Sequence, residues 1–223
     1  MRRLRFFAFL IAILCAAESA FAQTTGESVS ALGKTWRVHN RAVSEATVDG
    51  RAAIQFDGRQ GDGLAWLPDI QLSDGTIEFD ARGQDVFQRS FLGVAFHGVD
   101  AETFDAVYFR PFNFRATDPV RRNHAVQYIA HPTHTWQKLR AERPEEFENP
   151  VDPPPDPNEW FHVRIVLAHP KVSVFVNDVP APCLEIEQLS DRKTGWVALW
   201  VGNNSPGQFA NLKITAAKIT AAK

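Results

Sequence analysis

The stretch Gly75–Gly83, GTIEFDARG, decides the fold class. Side chains of an extended chain alternate between two faces. Ile77, Phe79 and Ala81 then point one way, and Glu78, Asp80 and Arg82 the other. An apolar face backed by a polar one is the pattern of an antiparallel strand with one side on a core. Working outward from it, similar runs recur in both directions. TWRVH (35–39), EATVDG (45–50), AAIQFDG (52–58) and GLAWLPD (63–69) precede it. SFLGVAFHG (90–98), DAVYFRPF (105–112), HAVQYIA (124–130), EWFHVRIVLA (159–168) and VSVFVND (172–178) follow. CLEIEQL (183–189), GWVALWVGN (195–203) and QFANLKIT (208–215) complete thirteen candidate strands. Gly, Asn, Asp or Pro marks most gaps, as turns require. So many short strands, with no pairing of cysteines, leave a two-sheet sandwich or a closed barrel. The mixture of alternating strands with fully apolar ones such as VALWV favours the sandwich.

One segment breaks the rhythm. Between His131 and Trp160 the chain carries TWQKLRAER and then Pro150, Pro153, Pro154, Pro155 and Pro157. The first part predicts two helical turns, with Thr135 as N-cap and Pro144 as terminator. Trp136, Leu139, Arg140 and Arg143 would share a face. The second part reads as a stiff extended stretch. An insertion of this length is either a lid or binding loop, or the cover of a sheet edge.

The ends bound the rest. MRRLRFF supplies a basic start, a short apolar run follows, and AESAFA ends in Ala20-x-Ala22. This is the pattern of a secretory signal peptide over residues 1–22, so the protein is expected to be exported, to the periplasm or beyond. The apolar run is too short to span a bilayer. One domain is expected over residues 23–216, with residues 217–223 as a disordered tail. Cys15 falls in the leader and leaves Cys183 as a lone thiol, so no internal disulfide forms. A small buried apolar residue is its simplest role. The chain's net charge is −2, and removal of the leader's Arg2, Arg3, Arg5 and Glu18 leaves about −4. Without a basic stripe, nucleic acid is not an expected partner.

GTIEFDARG, SFLGVAFHG and DAVYFRPF, followed by the long run from Trp160 to Ile214, resemble the concanavalin A-like lectin/glucanase superfamily. The similarity is greatest to its laminin-G-like and 3-keto-disaccharide hydrolase type domains. It is carried by Trp160, Arg164 and Ile165, by VSVFVND (172–178), and by the closing run from Gly195 to Ile214. The resemblance implies an all-β, two-sheet antiparallel jelly roll with one short helical insertion. It also implies a concave sheet that binds or cleaves carbohydrate.

Candidate site residues come from DAVYFRPFNFR. Tyr108 and Arg110 share a strand face and offer a ring for sugar C–H groups and donors for hydroxyls. The same pair also serves as plain cross-strand packing on many sheets. Asn113 and Arg115 lie beyond Pro111, where the strand should end. In SFLGVAFHG, alternation puts Phe91, Gly93, Ala95 and His97 on one face, the small residues leaving room beneath a ligand. In HAVQYIA it sets His124 and Tyr128 against Gln127. His97 and His124 are the candidate acid–base groups, and Trp136 a second stacking platform. Trp66, Trp196 and Trp200 read as core. Glu78 and Asp80 have a spacing that acid–base catalysis tolerates. The superfamily's glucanases add a third carboxylate, however, and here that position holds Arg82 or Gly83, so a solvated outer face is expected instead. No metal is expected as cofactor. Asp57 and Asp62 in FDGRQGDG offer only a weak calcium pattern against the commoner reading as a turn. The sequence thus leaves three functions open: a glycan-cleaving enzyme, a lectin-like module, or a structural sandwich.

Overall fold

A computed structural model describes residues 27–217. The expectations for the leader, for Cys15 and for all of the tail beyond Ala217 lie outside that range. Strands β1 (Glu27–Ala31), β2 (Lys34–His39), β3 (Val43–Val48), β4 (Arg51–Phe56) and β5 (Gly63–Trp66) come first. Next are β6 (Gly75–Arg82), β7 (Leu92–Asp100) and β8 (Thr103–Phe109), then helical turns α1 (Pro111–Phe114) and α2 (Pro119–Asn123). Strand β9 (Val126–Ala130), helix α3 (Trp136–Glu142) and the two-residue β10 (Glu148–Asn149) follow. The chain ends with β11 (Phe161–Ala168), β12 (Lys171–Val176), β13 (Leu184–Glu187), β14 (Trp196–Val201) and β15 (Gly207–Ala216).

These strands form two antiparallel sheets, an all-β jelly-roll sandwich. The first has eight strands in the order β1-β2-β5-β14-β7-β8-β9-β10, and the second seven, in the order β13-β12-β11-β6-β15-β4-β3. The core lies between them. Phe109 of the first sheet meets Phe161 of the second with ring centroids 5.3 Å apart, and Phe79 and Phe56 pack on Phe209. Strand β6 places Ile77, Phe79 and Ala81 in this core, fully buried, as the alternation of GTIEFDARG dictates.

The two sheets differ on their outer faces. In the seven-stranded sheet, β11 alternates between buried and partly exposed residues. In the eight-stranded sheet, β5, β8 (apart from Thr103), β9 and β14 are buried on both faces. Something therefore covers the outer face of the eight-stranded sheet, and the insertion supplies part of it. The Thr135 hydroxyl accepts a bond from Lys138 N and caps α3, and Leu139 is buried. Beyond α3 the chain returns as β10 and pairs with β9, Glu148 opposite Gln127. The insertion is thus both an edge strand and a cover.

Two readings need correction. DAVYFRPF is strand only to Phe109. Pro111 lacks the N–H that a ladder uses and suits a first helical turn, so the chain bends into α1. Asp80, expected on a solvated face, is 7% exposed. It accepts bonds from Arg51 Nη1 (2.6 Å) and Asn211 Nδ2 (2.7 Å) and contacts His162 Nδ1 at 2.8 Å. Glu78 keeps its outer position, paired with Lys213 at 3.0 Å. Among the described residues no helix is long and apolar enough to cross a membrane.

Candidate functional site

A cavity of about 750 Å³ opens on the outer face of the eight-stranded sheet, within the size range of small-ligand sites. Tyr108 from β8, Ile129 from β9 and Trp200 from β14 face it from the sheet. The β6–β7 connection contributes Phe87 and Phe91, and the α1–α2 segment Phe112, Asn113 and Arg121. Helix α3 adds Trp136 and Arg140, and Asp62 and Asn203 come from loops at the ends of β5 and β14.

The cavity's floor depends on a missing side chain. In the ladder Gly93 stands between Tyr108 on one side and Trp200 on the other. A Cβ on Gly93 would lie 2.1 Å from Val107 O and 2.6 Å from Tyr108 Cα. With only hydrogen there, the rings of Tyr108 and Trp200 meet with centroids 4.9 Å apart. The room expected beneath a ligand is filled by the protein's own aromatic floor.

Beside this floor runs a buried polar network. The Tyr108 hydroxyl donates to Gln127 Oε1 at 2.9 Å. Arg110 Nη2 donates to the Tyr108 hydroxyl oxygen at 2.6 Å and also to Gln127 Oε1, while Nη1 donates to His124 O at 2.9 Å. Glu148 accepts from Arg140 Nε (3.1 Å) and Nη2 (2.7 Å), and its Oε2 lies 2.8 Å from His124 Nδ1 and 3.9 Å from Arg110 Nη1. Asn113 holds Arg121 through a 3.3 Å bond from Arg121 Nε.

Burial sets the protonation states. It pushes the Tyr108 hydroxyl above its ordinary value, against the pull of Arg110. It lowers His124 although Glu148 opposes the change, and lowers His131, so both imidazoles favour the neutral form. Asp62 follows the same trend. Burial raises its carboxyl to about 6, against the opposing effects of Arg41 and the Trp200 indole.

The structure gathers Tyr108, Arg110, Asn113, His124 and Trp136 at the cavity. Gln127 lies among them as the acceptor for Tyr108 and Arg110. Three candidates lie elsewhere. Arg115 closes α1 on the surface and pairs with Asp156 at 2.8 Å. Tyr128 is opposite Val107 on the core face, and its hydroxyl donates to Asp105 Oδ1. His97 breaks the alternation of β7. It has φ +48° at an irregularity in the ladder, and contacts Ser73 O (3.0 Å) and Gln188 Nε2 (3.1 Å). It joins a second buried cluster, in which Asp105 also accepts from Ser190 Oγ (2.7 Å) and Arg192 Nη2 (2.8 Å). That cluster fastens the loop between β13 and β14 to the core, and none of its residues lines the cavity.

Other residues were not foreseen at the site. Trp200, read as core, faces the cavity although it is 3% exposed. Glu148, Arg121 and Phe87 lie in a two-residue strand, a five-residue helix and a connection, all too short to show a period that would mark them. Arg140 was placed on the same helical face as Trp136, and this spacing does bring its guanidinium 5.1 Å from the Trp136 ring centroid. Asp57 and Asp62 have separate roles. Asp57 accepts from Ala42 N and Arg59 Nε, while Asp62 faces the cavity. Among the described residues no group of three or more His, Cys, Asp and Glu gathers as a metal site would need. Burial pushes the Cys183 thiol up to about 12, which fits an inert packing role.

No protein-family model matches the chain, and no curated protein sequence does. Solved structures do. A carbohydrate binding module, CBM66 from Bacillus subtilis, superposes with a TM-score of 0.58 and 16% identity, covering 81% of this chain and 95% of that one. A Bacillus subtilis protein of unknown function with a galectin-like fold gives a TM-score of 0.53 at 12% identity, covering 80% and 88%. The exoplasmic/lumenal domain of VIP36 in its Ca²⁺/Man3GlcNAc-bound form gives 0.54 at 10% identity, covering 84% and 86%. At these identities the likeness concerns architecture, and it shows that this chain has the concanavalin A-like jelly-roll fold.

Proposed function

We propose that this protein is exported and binds a saccharide in the cavity on its eight-stranded sheet. One observation carries the reading. Six aromatic rings (Phe87, Phe91, Tyr108, Phe112, Trp136 and Trp200) converge on a single cavity together with arginine, amide and imidazole groups. Sugars present apolar C–H faces that rings cover, and a rim of hydroxyls that such polar groups bond. Phe87 and Trp136, 57% and 40% exposed, are held out from separate segments of chain, which core packing alone does not require. The fold shared with CBM66 and VIP36 supports the same reading by analogy.

A second reading, cleavage of a glycosidic bond or of a 3-keto-glycoside, is favoured by Asp62. A carboxyl raised to about 6 keeps its proton in about a tenth of molecules at pH 7, far more often than an ordinary aspartate, and can serve as general acid. His124 and His131, held neutral in the same cavity, can accept a proton. Without such chemistry the protein is a lectin-like module.

The test is a glycan screen of the purified protein that follows both binding and product formation. Wild type should bind, and Phe87→Ala and Trp136→Ala should bind less while unfolding at the same temperature. Retention of full affinity by both variants would exclude this cavity. If the enzyme reading holds, Asp62→Asn abolishes turnover and retains binding. Recovery of protein starting at Gln23 from the periplasm or medium checks export.

A further inference from the structure

The two exposed rings of the cavity share a feature that neutral-sugar binding does not explain. Each carries an arginine over its face. Arg121 lies 4.6 Å from the Phe87 ring centroid, and Arg140 lies 5.1 Å from that of Trp136. The pairs come from different parts of the chain, Arg121 and Phe87 from α2 and the β6–β7 connection, Arg140 and Trp136 from α3. Both guanidinium groups are anchored by two of their nitrogens. Arg121 donates through Nε to Asn113 and through Nη2 to Phe112 O, and Arg140 donates through Nε and Nη2 to Glu148. In each, Nη1 has no hydrogen-bond partner among the described residues. The result is a ring with a fixed, partly unused guanidinium beside it, built twice.

The charge around the cavity agrees. Arg110, Arg121 and Arg140 line it, and Asp62 is the carboxylate among its lining residues. Glu148 behind the wall balances one arginine, and Arg41 acts on Asp62. A positive excess remains at this site in a chain whose net charge is −2. An anchored guanidinium suits oxyanions such as carboxylate and sulfate, to which it presents parallel N–H donors.

We propose that the saccharide is anionic, a chain bearing carboxylate or sulfate groups. Phe87–Arg121 and Trp136–Arg140 form two subsites of one kind. In each, the ring face turned away from the arginine covers the C–H face of a sugar, and the guanidinium takes an oxyanion that projects past the ring's edge. This rests on the saccharide reading above and narrows it to a ligand class.

The test is calorimetric titration of the full protein with homo-oligomers of glucuronate, galacturonate, mannuronate and guluronate, and with chondroitin sulfate oligosaccharides. Each is paired with its neutral counterpart, carboxyl-reduced or desulfated. At least one charged oligomer is expected to bind roughly tenfold or more tighter than its counterpart, as charge-assisted bonds allow. Whether the uronates or the sulfated sugars do so identifies the oxyanion. Arg121→Gln should weaken the charged oligomer several times more than its neutral counterpart and so reduce that preference. Arg140→Gln should do likewise, and a loss of fold in that variant, which strands Glu148, leaves Arg121→Gln as the deciding measurement. Equal binding of charged and neutral partners, or an unchanged preference in Arg121→Gln, overturns the inference and leaves the saccharide reading standing. Failure of every oligomer, charged or neutral, to bind the folded protein overturns both.

Discussion

The Glu148 carboxylate stands 2.8 Å from His124 Nδ1, joining the inserted β10 to the turn that closes α2. The same carboxylate accepts from Nε and Nη2 of Arg140, so one buried residue ties the helix of the insertion to the cavity. Removing one member of a buried charged pair leaves the other uncompensated, at a cost of about 3–5 kcal/mol. Glu148→Ala should therefore lower unfolding stability by ~3 kcal/mol in urea denaturation. A loss under about 1 kcal/mol would mean that the network does not hold the insertion in place.

Trp136 offers the opposite case. It is 40% exposed, and its contribution to folding should be small. Trp136→Ala is expected to change stability by less than about 0.5 kcal/mol. Loss of one stacking ring, at about 0.5–1.5 kcal/mol, should weaken saccharide binding by roughly 2- to 13-fold. Titration and thermal unfolding of the same preparation separate the two effects.

Asp62 predicts a pH dependence. Its carboxyl is raised from 3.8 to about 6, so the folded chain holds the proton more tightly than the unfolded one. The stabilisation that follows is complete below pH 3.8 and is lost as pH rises through about 6. Asp62→Asn, which stays neutral throughout, should be the more stable form at pH 7.5 by about 1–3 kcal/mol and lose that advantage at pH 4. Parallel urea titrations at the two pH values check this. An advantage that is the same at both would show that ionisation is not its cause.

Gly93 predicts a packing effect. Its missing Cβ is what lets the Tyr108 and Trp200 rings approach over the ladder, and the nearest obstacle is backbone, Val107 O. Backbone cannot rotate aside as a flexible side chain would. Gly93→Ala should cost at least about 1–3 kcal/mol and should also weaken ligand binding, because the floor of the cavity shifts. Tryptophan fluorescence during denaturation follows both the stability and the environment of Trp200.

How far the sequence reaches is clear from single residues. Alternation placed Ile77, Phe79 and Ala81 in the core and set Tyr108 and Arg110 on one face, because a strand fixes direction locally. It failed at His97, where an irregular ladder and a left-handed backbone reverse the direction of the side chain. At Tyr128 it separated the side chain from Gln127 but left open which of the two faces the cavity. Both faces of β9 are buried, so composition does not reveal which one looks toward the other sheet. Trp200 was read as core for the same reason. A low exposure is common to a residue between sheets and to one beneath a covered cavity.

The sequence by itself determined thirteen of the fifteen strands, all but β1 and β10, with the two-layer architecture, the capped helix of the insertion and the pairing of Trp136 with Arg140. Each of these follows from contacts between near neighbours or from a repeating pattern. Only the tertiary structure decided that Phe87, Arg121, Glu148 and Asp62 belong with Tyr108 and Trp200. Those residues lie on separate short segments, and their proximity arises from the order in which distant strands pair, which no local period encodes.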